Sequence, residues 1–157
     1  MTDTEKKKQR ERVTKVLFIL YLLLVIRLLI FKYPFEELKA IVDSWEKGVI
    51  LEGLESANFT LFKTIKMYIR YAYKLNSFEN LVGNVAVFLP FGFFLPRIFK
   101  WANNWFMVLG GAFFFSLGIE LFQLFSAFGA FDVDDLLLNS IGALFGYLLY
   151  KMCKAIF

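Results

Sequence analysis

Residues 105–128, WFMVLGGAFFFSLGIELFQLFSAF, carry one ionisable side chain, Glu120. About 20 consecutive apolar residues are what an α-helix needs to cross the hydrocarbon core of a bilayer. Working outward from this block, other apolar runs lie on both sides. Leu81–Phe99 contains Pro90 and Pro96, which predict a kink. Residues 13–31 would rise about 28 Å as a helix, enough to span. Leu136–Tyr150 is short, but it extends to a full span if Lys151 and Lys154 snorkel. The expected fold is an all-α integral membrane protein, a four-transmembrane-helix bundle with spans near 13–31, 81–99, 105–128 and 136–154. A single membrane domain over 16–157 follows a mobile, basic tail over 1–15.

Composition excludes other classes. Of 157 residues, 59% are hydrophobic and 20% aromatic, against roughly 45–50% apolar in soluble domains. The chain has no histidine, which removes His-based triads and His metal ligands. Its one cysteine, Cys153, cannot form an internal disulfide. The net charge of +4 sits beside apolar blocks, the pattern of a topology signal rather than of nucleic-acid binding. With Lys6, Lys7, Lys8, Arg10, Arg12 and Lys15 inside, Arg97, Lys100, Lys151 and Lys154 also fall inside, and Asp132, Asp134 and Asp135 outside. Both termini are therefore expected in the cytoplasm of a multi-pass cell-membrane protein. Lys32-Tyr33-Pro34-Phe35 offers no small-residue cleavage site, so the first span reads as an uncleaved anchor.

Residues 34–79 form the expected extracytoplasmic loop. Phe35, Leu38, Val42, Trp45 and Val49 recur at helical spacing, as do Phe59, Phe62, Ile65, Ile69 and Ala72. The second stripe carries Lys63, Lys66, Arg70 and Lys74 among Tyr68, Tyr71 and Tyr73. A helix lying in the membrane interface suits it, as does a cap held on the bundle by protein contacts.

Polar residues inside the spans point to function, because a charge near mid-helix costs at least about 2.5–3.5 kcal/mol on insertion scales. Arg27 and Glu120 are two such charges, joined by Asn80, Asn84, Gln123 and Asn139. Counting residues from the outer ends puts polar groups of all four spans at similar depth in the outer leaflet. Glu120 and Gln123 share a helix face; Asp132, Asp135, Asn139, Gly142 and Gly146 follow one stripe. Together Arg27, Asn80, Asn84, Glu120, Gln123, Asp132, Asp134, Asp135 and Asn139 make an expected binding pocket. Gly142 and Gly146 form a G-x-x-x-G for close helix packing. Glu120 is expected to face a polar cavity or pair with Arg27. Asp132, Asp134 and Asp135 suit a hard divalent cation by ligand type, although the calcium-loop spacing is missing.

Several motifs now stand in order: Asn80-Leu-Val-Gly-Asn84, Phe88-Leu-Pro90-Phe-Gly92-Phe-Phe-Leu-Pro96, Glu120-Leu-Phe-Gln123, and the run from Phe131-Asp132 through Asn139 and Gly142 to Gly146-Tyr147. This set resembles the VanZ-like family and covers most of residues 80–150. Many members carry an arginine just before the Phe-Asp pair, about where Gly129 stands here. This chain must satisfy its carboxylates otherwise. The resemblance implies a bacterial membrane protein linked to the envelope and to resistance against teicoplanin-type glycopeptides.

Three functions fit. In the first, a non-enzymatic protein uses the pocket to bind membrane lipids, a lipid-linked cell-wall precursor headgroup or an envelope protein. In the second, Glu120 is the general base of an intramembrane enzyme acting on a polyprenyl or phospholipid headgroup, with the aspartates holding a metal. The missing histidine weighs against it. In the third, the long loop docks a partner and the polar residues only hold the helices together.

Overall fold

The computed structural model describes residues 2–45, 48–72 and 77–156. Among these, the order is α1 (Asp3–Leu29), α2 (Phe35–Asp43), α3 (Val49–Ser56), α4 (Lys63–Arg70), α5 (Ser77–Ile98), a 3-10 turn (Lys100–Ala102), α6 (Trp105–Ser126) and α7 (Val133–Ile156). The described residues contain no strand, only one isolated parallel bridge between Asn58 and Asp132. Within α5, α6 and α7, the segments Asn80–Ile98, Trp105–Ser126 and Val133–Lys154 are long and apolar enough to cross a membrane. α1 is not among them; Lys15 and Arg27 interrupt its apolar half.

Two local expectations are corrected. Residues 3–15 are not a mobile tail but the first turns of α1, because Thr2 and Glu5 form a reciprocal capping box and the basic residues that follow favour helix. The stripe through Val49 is not one helix: α2 stops at Asp43, and Gly48, at φ 132°, opens a separate α3. α5 remains one helix through Pro90 and Pro96. Tyr73 and Lys74 lie outside the described residues.

α5 and α7 meet almost backbone to backbone. A Cβ on Gly92 would lie 1.8 Å from the Ala143 carbonyl oxygen, one on Gly142 2.1 Å from that of Val85, and one on Gly146 1.9 Å from that of Leu89. Hydrocarbon tails give no hydrophobic drive for helices to associate, so close van der Waals contact of this kind carries the interface. α1 lies along α5, with the Phe18 ring 5.8 Å from Phe91 and 6.4 Å from Phe94. The Tyr21 hydroxyl donates to the Val87 carbonyl at 2.7 Å, one residue from the carbonyl that Pro90 deprives of its helical donor. Leu20, Leu23 and Leu24 of α1, Phe106 and Phe114 of α6 and Phe145 of α7 point outward.

One end of the bundle is basic. Lys6, Arg10 and Arg97 line a shared groove, Arg97 stacks 4.4 Å from the Phe93 ring centre, and Lys154 sits 5.9 Å from that of Tyr150. The opposite end, built from the C-termini of α1 and α6 and the N-termini of α5 and α7, holds the polar residues.

Candidate functional site

The α6–α7 link is fixed first. Asp132 caps α7, its Oδ1 accepting the Asp134 N–H at 2.8 Å. Its own N–H donates to Glu120 Oε2 at 2.8 Å, which ties α6 to the start of α7. The segment before α4 then docks on this link by backbone pairing: Asn58 N donates to Phe131 O at 2.8 Å, and Val133 N to Asn58 O at 3.0 Å. Side chains reinforce the pairing. Asn58 Nδ2 donates to Asp132 Oδ1 at 2.8 Å, the Thr64 hydroxyl donates to Asp132 Oδ2, and Phe59 stacks on Phe131 at 5.1 Å.

Asp134, with no exposed surface, accepts the N–H groups of Phe62, Thr64 and Ile65 at 2.5, 2.8 and 3.1 Å. A carboxylate from one helix thus satisfies the orphan donors that open another, where the helix dipole favours an anion. The Trp45 indole N–H, beyond α2, donates to Ser126 O at 3.0 Å.

Beneath this cap is a recess of about 250 Å³ lined by Leu28, Leu29, Lys32, Tyr68, Asn80, Asn84, Glu120, Gln123, Ala130, Asp135 and Asn139. Glu120 and Asn139 are each only 2% exposed. Asn84 Nδ2 donates to Asp135 Oδ1 at 2.5 Å, Gln123 Nε2 to Leu29 O at 2.8 Å, and Asn139 Nδ2 to Ser116 Oγ at 2.8 Å. Asn139 Oδ1 is buried without a partner among the described residues. An unpaired buried polar atom costs about 1–3 kcal/mol, so this oxygen marks a place where a donor is wanted.

Of the residues singled out in the sequence, Asn80, Asn84, Glu120, Gln123, Asp135 and Asn139 line this one recess. Three do not. Arg27 is exposed and donates to the Phe31 carbonyl at the end of its own helix. It lies two residues, about 200° of helix, from the buried Val25, and so faces away from Glu120. Asp132 and Asp134 are turned to the cap, where amides take up their oxygens. The three aspartates therefore diverge, and no group of three or more Asp, Glu or Cys among the described residues is arranged to hold a metal ion.

Lys32 and Tyr68 line the recess without having been singled out for it. Lys32 follows the first apolar run directly, and this cation at the end of an apolar segment was its signal. Gly129 packs on Gln123: a Cβ there would sit 3.0 Å from Gln123 Cδ. Tyr68 comes from α4. Burial, then the charges of Asp135 and Asp132, push its phenol above its ordinary value.

The chain matches the family described as VanZ/LLP1 over residues 18–154. It is similar to Protein VanZ of Enterococcus faecium, 32% identical over 76 residues, 48% of this chain. The match spans about half of that relative, 47% of its length. No solved structure matches the chain.

Proposed function

The chain belongs to the VanZ/LLP1 family, and from that premise we propose that it is a multi-pass bacterial envelope protein that lowers sensitivity to teicoplanin-type glycopeptides. It does so by holding the headgroup of a lipid or lipid-linked cell-wall precursor in an outward-facing recess. α1 is the fourth span. Its Phe18–Val25 face packs on α5, its exposed leucines suit lipid, and Lys15 and Arg27 lie near the two ends of its apolar stretch, where long side chains snorkel. The basic end of the bundle lies in the cytoplasm, and the α2–α4 cap sits in the outer interface. Exposed Phe35 and Leu51, and Ile69 beside Lys63, Lys66 and Arg70, favour that setting for the cap.

The observation that carries this reading is Asn139 Oδ1, buried and unpartnered at the foot of a recess that also buries Glu120. Size narrows the occupant. Drug-sized ligands occupy pockets of about 300–1,000 Å³, whereas this recess of about 250 Å³ admits a headgroup. The protein thus acts on the antibiotic's surroundings, not on the antibiotic. The test is glycopeptide susceptibility of cells expressing the wild type, Glu120→Gln or Asp135→Asn at equal membrane levels. Both variants are expected to lose protection; equal protection from all three would remove the recess from the mechanism.

A further inference from the structure

Two amides of the recess are oriented by partners that take up their NH2 groups. Asn84 donates to the Asp135 carboxylate and Gln123 to the Leu29 carbonyl, and both partners can only accept. Asn139 donates to Ser116. At Glu120, Asp135 and Asn139 what remains for a ligand is oxygen, while Lys32, Tyr68 and Asn80 supply donors on the same lining. Asn139 Oδ1, 2% exposed as a residue, is unpartnered, and neither Glu120 Oε1 nor Asp135 Oδ2 receives a protein donor among the described residues. Charge agrees with the donor–acceptor pattern. One lysine, Lys32, lines the recess beside two carboxylates, and it forms no ion pair with either among the described residues. An anion in the depth of this recess would face carboxylates, whereas one monovalent cation with several N–H groups would meet three acceptors.

We propose that the recess takes a primary ammonium, Glu120, Asp135 and Asn139 accepting its three N–H bonds, and that the ammonium belongs to a zwitterionic lipid headgroup whose phosphate lies toward Lys32. This rests on the reading of the recess as a headgroup site and names the headgroup's chemistry. The arrangement follows from the inventory: an ammonium has three donors and no acceptor, and a phosphate next to it would be repelled by the carboxylates but drawn to the one lysine. A trimethylated ammonium has the same charge and nothing to donate, so it leaves Asn139 Oδ1 unpaired.

The test uses the full chain in nanodiscs of matched acyl composition, doped in turn with phosphatidylethanolamine, phosphatidylcholine and phosphatidylglycerol. Lipid that stays on the protein after detergent release is quantified by native mass spectrometry. Phosphatidylethanolamine is expected to be retained about tenfold or more over either other lipid, the worth of the lost charged hydrogen bonds. Glu120→Gln and Asp135→Asn should each abolish that preference, and Arg27→Gln should keep it. Competition with soluble phosphoethanolamine but not with Nα-acetyl-lysine assigns the ammonium to a lipid headgroup; displacement by both equally would overturn the lipid assignment in favour of any free amine. Retention of phosphatidylglycerol or phosphatidylcholine equal to that of phosphatidylethanolamine sinks the ammonium proposal. If that retention still depends on Glu120, the headgroup site survives it. No retained lipid of any kind sinks both. The lipid comparison is made on the wild type, so it does not depend on the variants folding.

Discussion

Asp134 on α7 accepts the backbone N–H of Phe62 at 2.5 Å, and Phe62 stands at φ 64°, in the left-handed region that bulky residues avoid. The contact joins positions 72 apart in sequence. It holds a backbone conformation that costs about 1–2 kcal/mol in an L-residue, and it anchors α4 over the recess.

Asp134→Ala should therefore undock α4. Removing a buried charged acceptor from three amides is expected to destabilise the protein by about 3 kcal/mol, and Asp134→Asn by less. Limited proteolysis between residues 57 and 72 and thermal unfolding in detergent both read this. Adding Phe62→Gly to Asp134→Asn should recover about 1 kcal/mol, because glycine adopts the same φ without strain. No recovery would show that the left-handed turn is not what Asp134 supports.

The glycines divide cleanly. Gly92→Ala, Gly142→Ala and Gly146→Ala each push a methyl into a backbone carbonyl and should cost about 1–3 kcal/mol or prevent folding. Gly83→Ala and Gly118→Ala meet nothing within 4 Å and should stabilise by about 0.5–1 kcal/mol through helix propensity. Thermal midpoints of the five variants in one detergent decide it.

Arg27 and Lys32 should behave oppositely. Arg27→Gln removes only a local contact and should leave glycopeptide susceptibility unchanged. Lys32→Gln removes the cation lining the recess and should weaken headgroup retention roughly fivefold, the worth of about 1 kcal/mol for a partly exposed ion contact. Equal effects would mean that Arg27 reaches the site after all.

Tyr68 gives a pH-dependent signal. A phenol pushed up holds its proton more tightly in the folded state, so folded stability is full below the unfolded value near 10 and declines as pH rises through the folded one. Burial is the larger cause and the Asp135 charge the next, so Asp135→Asn should lower the Tyr68 midpoint only part of the way back. Phenolate absorbance of the wild type, Asp135→Asn and Tyr68→Phe, compared over alkaline pH, isolates this residue.

Much of the helical layout was legible because long apolar runs admit few readings in α5, α6 and α7. The G-x-x-x-G of α7 was legible too, although its partner carbonyls on α5 were not. Residues were misread where distant parts of the chain meet. Arg27 lies on the wrong face of α1 to meet Glu120, and depth was easier to count than rotation. Asp132 and Asp134 looked like free ligands because the amides that take them up come from residues 58–65, far away in sequence. Lys32 was read only for the missing cleavage site, for its neighbours in the recess come from five helices. α3 was hidden by a stripe whose spacing ran on through Gly48, where the backbone turns.

The Asn58–Asp132 pairing also sets an order of assembly. A ribosome makes α2, α3 and α4 before α7, so the amides of Phe62, Thr64 and Ile65 exist before the carboxylate that takes them up. The cap can close only once α7 is in place. Truncated products that lack α7 are thereby left with open amides at α4.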